Sequence, residues 1–268
     1  MKFLILLPMV LLCATAWLEA PAACEPWLDP SWSAPFGTDE LGRDVLRVLL
    51  ASAGRSTLTG TLWAATTLAL ATWAASLTLL PGFHLGARLI RMAAQVVESV
   101  PLFLWVLSAF AAYRTHSPLV VPLAFVLAVL PFALTVIQGE FTRLAEAPFI
   151  EAAHLAGLNT PRLILAHYLP NAVPVLGPLA IQLLGIAISI RGAIGVLGFS
   201  TRADLDLGII LLRGKENITE HPTLMTTALL AITLLYVYLD SLSRWVSAAR
   251  KEDEAPKQPA RGARSPAR

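Results

Sequence analysis

The chain has 268 residues, of which 56% are hydrophobic and only 14% charged, and its mean hydropathy is +0.66. Soluble domains carry about 25% charge, so this composition excludes an ordinary soluble enzyme or binding module and indicates a polytopic membrane protein. A net charge of +2 gives no basis for a nucleic-acid partner, and two cysteines without metal-ligand spacing, Cys13 and Cys24, exclude a disulfide framework.

The first apolar run, Phe3–Trp17, follows Met1-Lys2. One positive charge, an apolar core and Ala20-Pro21-Ala22 fit a signal sequence, but the run is expected to stay as a signal anchor and first span over residues 1–18. Residues 19–55 are polar and rich in Pro and Trp, and form an extracytoplasmic segment. Within it Thr38 or Asp39 can cap an amphipathic helix through Val45, Leu46, Leu49 and Leu50, expected to lie at the membrane surface. Residues 56–245 make a core of five further spans. Ser56–Leu80 is the second, and Pro81-Gly82 ends it ahead of a short basic loop with His84, Arg88 and Arg91. Ala93–Tyr113 is the third and carries Glu98 and Pro101; a carboxylate inside a span is costly. Ser117–Ile137 is the fourth, with Pro118, Pro122 and Pro131.

Between the fourth and fifth spans lies a loop over residues 139–171, long enough to have a structure of its own. Pro148 can begin a helix and Glu151 lies in its first turn, where its charge favours the positive end of the helix dipole. Ala152, Ala153, Leu155 and Ala156 are good helix formers. Gly157 stands where a left-handed cap would end the helix. Asn159 or Thr160 can cap a second helix with Pro161 at its start, and Leu169-Pro170 is expected to turn the chain into the next span. Phe149, Ile150, Ala153 and Leu158 leave an apolar stripe that wants a groove to lie in.

Ala172–Ala193 is the fifth span, bent at its start by Pro174 and Pro178, with Arg191 expected to snorkel to the outer interface. Thr201–Pro222 is expected as an outer loop, Leu224–Leu242 as the sixth span with Asp240 near its inner end, and residues 246–268 as a disordered cytoplasmic tail.

Two stretches carry a family resemblance. Glu151-Ala152-Ala153, then Gly157, then Leu169-Pro170 resembles the EAA motif of ABC importer permeases. His167-x-Leu169-Pro170-Asn171 is similar to the peptide/nickel branch. Gly37-Thr38-Asp39-x-x-Gly42-Arg43-Asp44-Val45-Leu46 closely resembles the signature of the second permease subunit in dipeptide, oligopeptide and nickel importers, and Gly54-Arg55-Ser56-Thr57-Leu58 follows where that family has a similar sequence. Gly192, Gly195 and Gly198 loosely resemble the glycine turn after the same span in relatives. Three positions depart from the pattern: Gln95, where relatives place an Asp, and Thr135 and Gln138, where they carry arginines. The resemblance implies an all-α, type I ABC importer permease bundle of six transmembrane helices with a cytoplasmic coupling helix. It further implies two cytoplasmic P-loop ATPase subunits, a second homologous permease and an extracytoplasmic solute-binding protein as partners, with peptides or nickel and other metal chelates as cargo. In that reading Glu151, Ala152, Ala153, Gly157, Leu169 and Pro170 couple the chain to the ATPase, while Gly37, Thr38, Asp39, Gly42, Arg43 and Asp44 are the family signature.

With the N-terminus inside, twelve of the 20 Lys and Arg fall in inner segments and seven in outer ones, which puts the Glu151 loop and both termini in the cytoplasm; the resemblance implies that the membrane is a bacterial inner membrane. The chain has no P-loop, no His-Glu-x-x-His and no Gly-x-Ser-x-Gly. Its histidines are scattered, so no catalytic residues, metal ligands or cofactors are expected, and a membrane-embedded hydrolase lacks a constellation to work with. A transporter of another class, an ion-coupled carrier using Glu98 and Arg191, is the alternative, and it needs no ATPase.

Overall fold

The computed structural model describes residues 7–22, 24–112, 119–198 and 206–254. The described chain is helical and ordered as α1 (Leu7–Ala14, followed by a 3-10 turn Thr15–Trp17), α2 (Val45–Leu77), α3 (His84–Glu98), α4 (Leu102–Ala112), α5 (Val120–Ala145), α6 (Pro148–Leu155), α7 (Thr160–Leu163, followed by a π-helical segment Ile164–Tyr168), α8 (Leu169–Val196), α9 (Leu207–Glu216) and α10 (Pro222–Glu254). The core lies between α2, α5 and α8, where Phe125, Ile137, Phe141, Leu179 and Leu183 are fully buried. Outward-facing Leu62, Leu123, Leu127, Leu234 and Val237 are more than half exposed. Apolar surface on that scale suits a hydrocarbon solvent, not water.

α2 runs unbroken for 33 residues, about 50 Å at the α-helical rise. Asp44 caps it by accepting from the Leu46 N–H at 3.0 Å. The surface helix expected at Val45–Leu50 is therefore the first part of α2, continuous with the segment expected as the second span. α1 packs on this part: a Cβ on Gly54 would lie 2.4 Å from the Ala16 nitrogen, and the Thr15 hydroxyl donates to the Leu50 carbonyl at 2.7 Å. A small residue is what lets the two backbones meet.

The straight third span expected over Ala93–Tyr113 is instead two helices, α3 and α4, meeting at 83°. Pro101 has no N–H to continue the ladder and forces the residue before it away from helical geometry, so α3 stops at Glu98. The Trp105 indole donates to the Val97 carbonyl at 3.1 Å and pins the corner.

α5 extends through Ala145, eight residues beyond Ile137, because Glu140, Phe141 and Leu144 still face the core. Arg143 holds Glu140 at 2.6 Å. The loop expected from residue 139 thus starts only after α5 ends. It also ends earlier than expected, since helix runs from Thr160 to Val196. Leu169-Pro170 is not a turn. Proline lacks the N–H and its ring crowds the carbonyl four residues back, and the chain absorbs this by widening Ile164–Tyr168 into a π-helical turn.

The expected outer loop contains α9, capped by Asp206, which accepts from the Ile209 N–H at 2.9 Å. Glycines set its packing. A Cβ on Gly195 would lie 2.6 Å from Gly208, and one on Gly214 would lie 2.9 Å from the Met225 backbone. Residues 246–254, expected as disordered tail, continue α10, and the rest of that tail is outside the described residues.

Three helices among the described residues are long and apolar enough to cross a membrane, Val120–Ala145, Thr160–Val196 and Pro222–Ala248, or four if the bent pair counts as one span. This stops short of the six spans expected. α2 has the length, but its Thr, Ser and Trp content dilutes its apolarity, and Pro8–Trp17 is too short.

Candidate functional site

Two groups of residues stand at opposite ends of the bundle, joined by the 37-residue helical run Thr160–Val196, about 55 Å long at the α-helical rise. At one end is α6. Pro148 occupies its start after the extended Ala147. Ile150 is buried in the core and Ala153 packs against it. The other side is open: Glu151 and Ala152 are exposed, Phe149 is 44% exposed and Leu155 83%. Gly157 adopts φ +83°. Its N–H donates to the His154 carbonyl at 3.0 Å, and the Leu158 N–H to the Ala153 carbonyl at 3.3 Å. This bond pair is the Schellman cap expected of a left-handed glycine. Asn159, not Thr160, caps the next helix, accepting from the Arg162 N–H at 3.2 Å. Tyr168 is buried and its ring meets Phe141 edge-on at 5.5 Å, which locks the π-helical segment to α5. Leu169 and Pro170 therefore belong to the helix that carries α7 into the span, one π-helical turn beyond α7.

At the other end Gly37–Asp44 folds into a tight clamp. Gly37 and Gly42 take φ +75° and +69°, and added Cβ atoms would lie 2.4 Å from the Leu28 carbonyl oxygen and 2.0 Å from that of Cys24. Only glycine fits there. The Thr38 hydroxyl accepts from the Leu28 N–H at 2.8 Å and donates to the Glu25 carbonyl at 2.7 Å. Asp39 is buried. One of its oxygens accepts from the Leu41 and Arg43 N–H groups at 3.0 and 2.9 Å, and the other takes the Arg43 guanidinium at 2.8 and 2.5 Å. The Arg213 guanidinium on α9 comes within 4.0 Å of Asp39 and 3.5 Å of Glu40. The Trp27 ring stacks on His221 at 4.0 Å. The six signature residues thus lie in one clamp, in which Asp39 ties the segment before α2 to Arg213 of α9, while Trp27 ties it to His221 at the start of α10. Arg43 and Asp44 do not face each other as a reactive pair: one is spent on Asp39 and the other on the cap of α2.

Arg191 does not snorkel outward. Its guanidinium lies 3.5 Å from Asp206 and 5.3 Å over the Trp63 ring, inside the α2–α8 contact. Glu98 stands exposed at the end of α3, and no ion pair joins it to Arg191 among the described residues. Asp206 and Arg213 were not singled out from the sequence. An Asp immediately before the apolar Leu207–Leu212 was a legible cap signal for the first; nothing local pointed to the second. No group of three or more His, Cys, Asp or Glu capable of holding a metal is present among the described residues.

Similarity to known proteins can be set beside this geometry. The chain is 25% identical over 198 residues to the probable D,D-dipeptide transport system permease protein DdpC of Escherichia coli (strain K12), covering 72% of this chain and 65% of that protein. It is 28% identical over 211 residues to the dipeptide transport system permease protein DppC of Alkalihalophilus pseudofirmus, covering 76% and 64%. To the oligopeptide transport system permease protein OppC of Mycobacterium bovis it is 27% identical over 211 residues, covering 76% and 68%. The chain therefore spans just under two thirds of the length of the first two relatives. In fold it resembles a chain of the MetNI methionine ABC transporter in inward-facing conformations, with a TM-score of 0.55 and 21% identity over 76% of this chain and 93% of that one. The family described as binding-protein-dependent transport system inner membrane component matches residues 68–252. With more than half of its length matched, the chain belongs to the family of binding-protein-dependent transport system inner membrane components.

Proposed function

We propose that this chain is a permease subunit of an ATP-driven importer, passing small peptides delivered by an extracytoplasmic solute-binding protein. The observation that carries the reading is α6 with its cap. A two-turn helix is anchored by Ile150, ended by Gly157 and exposes Phe149 and Leu155, and it is joined through α7 and a π-helical turn to a long span. That is the form of a lever: a partner that grips the exposed face can move the span. The EAA-type residues contribute differently. Glu151 and Ala152 offer the gripped surface, Ala153 and Gly157 set the helix against the core, and Leu169-Pro170 sets the angle of the following helix.

In this reading two cytoplasmic P-loop ATPases grip the lever, a second, homologous permease completes the pathway as a heterodimer, and closure of the ATPases rocks the bundle from inward- to outward-facing. The chain has no phosphate loop of its own, so ATP hydrolysis belongs to the partners. The membrane is the bacterial inner membrane, with α6 and both termini in the cytoplasm. Peptides are favoured over nickel chelates because the similar permeases are described as dipeptide, D,D-dipeptide and oligopeptide systems. The ion-coupled alternative is disfavoured because Arg191 is committed to Asp206 and Trp63.

The test is co-purification. Tagged wild type and Leu155→Glu are extracted in mild detergent and their companions identified by mass spectrometry. Leu155 is exposed, so the variant keeps the fold while placing a charge on the gripped face. P-loop ATPases recovered with wild type and lost with Leu155→Glu are the expected result. Wild type that purifies alone while supporting uptake would overturn the reading.

A further inference from the structure

α3 divides into three sectors that the importer reading does not use. Successive residues on a helix turn by about 100°. Ala87 and Ala94 are buried and Ile90 packs on the core. A second sector, Leu85, Leu89, Met92 and Val96, is 55–69% exposed. The third holds His84, Arg88, Arg91, Gln95 and Glu98, all exposed. Arg88 and Arg91 form no ion pair among the described residues. The single acid of the helix, Glu98, lies seven residues past Arg91, about 10 Å along the axis.

We propose that α3 is an interfacial helix whose Arg88 and Arg91 hold the headgroup of an anionic phospholipid. Two observations beyond the pattern support it. First, α3 meets the strongly apolar α4 at 83°, so with α4 along the bilayer normal α3 lies close to the membrane plane. Second, the arginine flank borders the apolar strip along its length, the arrangement in which long cationic side chains reach headgroups while apolar neighbours enter the acyl region. Among the described residues no acid pairs with these two charges, which leaves them open to a counter-charge from outside the chain. A bilayer with anionic headgroups supplies that charge and the apolar cover together. The inference rests on membrane embedding alone and does not depend on the transported substrate.

The test uses the full chain. Native mass spectrometry titrates phosphatidylglycerol and, separately, phosphatidylcholine onto wild type, the Arg88→Gln/Arg91→Gln double variant and Arg244→Gln, an exposed arginine elsewhere. Each arginine near an anionic surface gives roughly fivefold in affinity. The double variant is therefore expected to bind phosphatidylglycerol roughly thirtyfold more weakly, with phosphatidylcholine binding and the Arg244→Gln protein unchanged. Equal loss in Arg244→Gln, or no loss in the double variant, overturns the site. A photo-crosslinking residue at Leu89, with both arginines intact and in native membranes, gives a second reading that does not depend on the variant folding. Lipid adducts are expected, and a discrete protein adduct would overturn the assignment by placing a protein on that face.

Discussion

Gly42 and Gly157 both have positive φ, yet they answer to different forces. At Gly42 a Cβ would lie 2.0 Å from the Cys24 carbonyl oxygen, whereas at Gly157 nothing lies within 4 Å. Gly157→Ala therefore incurs only the left-handed backbone cost of about 1–2 kcal/mol. Gly42→Ala adds a backbone clash, and the clamp has to open. Thermal unfolding of the purified protein should show a clearly larger loss for Gly42→Ala, and equal shifts would mean the clamp yields without cost. Asp39 makes a sharper case. It is buried between Arg43 and Arg213, whose side chains are 12% and 9% exposed. Asp39→Ala removes the shared counter-charge and should cost roughly 3–5 kcal/mol, the range for breaking a buried ionic group from one side. Replacing Asp240, which pairs with Arg244 in an exposed position, should cost under about 1 kcal/mol. Denaturant titration in a mild detergent separates the two.

The elements show how one proline can be read in two ways. Leu169-Pro170 reads as a turn because proline interrupts the helical hydrogen-bond ladder. Here it lies inside continuous helix because the preceding five residues are π-helical. If proline sets that segment, Pro170→Ala restores a hydrogen-bond donor and lets the segment revert to α-helix, which rotates α7 about the axis of α8. Spin labels at Arg162 and Leu229 should then report a changed distance, and an unchanged distance would assign the π-helical turn to the Tyr168–Phe141 contact instead. Pro131 offers the contrast. It sits within α5, buried, and the helix passes it without a break because packing on both sides holds the freed geometry. Pro101 is instead exposed, without packing on both sides to hold the helix straight, and the chain bends.

Across the whole molecule, the clamp and α6 lie at opposite ends, so their exposure to the two sides of the membrane is a single question. With the native cysteines replaced, Leu155→Cys should react with a membrane-impermeant maleimide only from the cytoplasmic side, and Ser31→Cys, in the segment of the clamp, only from the outside. Labelling of both from one side would overturn the topology. The same experiment bears on α2, which is long enough to cross but less apolar than the three helices that qualify on composition. A buried face of Ser52, Ser56, Thr57 and Thr67 accounts for that: these residues pack inside the bundle, so hydropathy counted along the chain understates how apolar the outer face is.

The membrane class, the helical content, the cap at Gly157 and the two motif stretches were legible in the sequence, because each depends on local chemistry: hydropathy, left-handed glycine and capping side chains. The tertiary structure decided what local chemistry leaves open. Whether Val45–Leu50 is a separate helix depends on what α1 packs against at Gly54. Whether Pro101 bends and Pro131 does not depends on the neighbours of each. The role of the signature residues depended on Arg213, some 170 positions further along, and no spacing within Gly37–Asp44 announces a partner that only folding brings to Asp39.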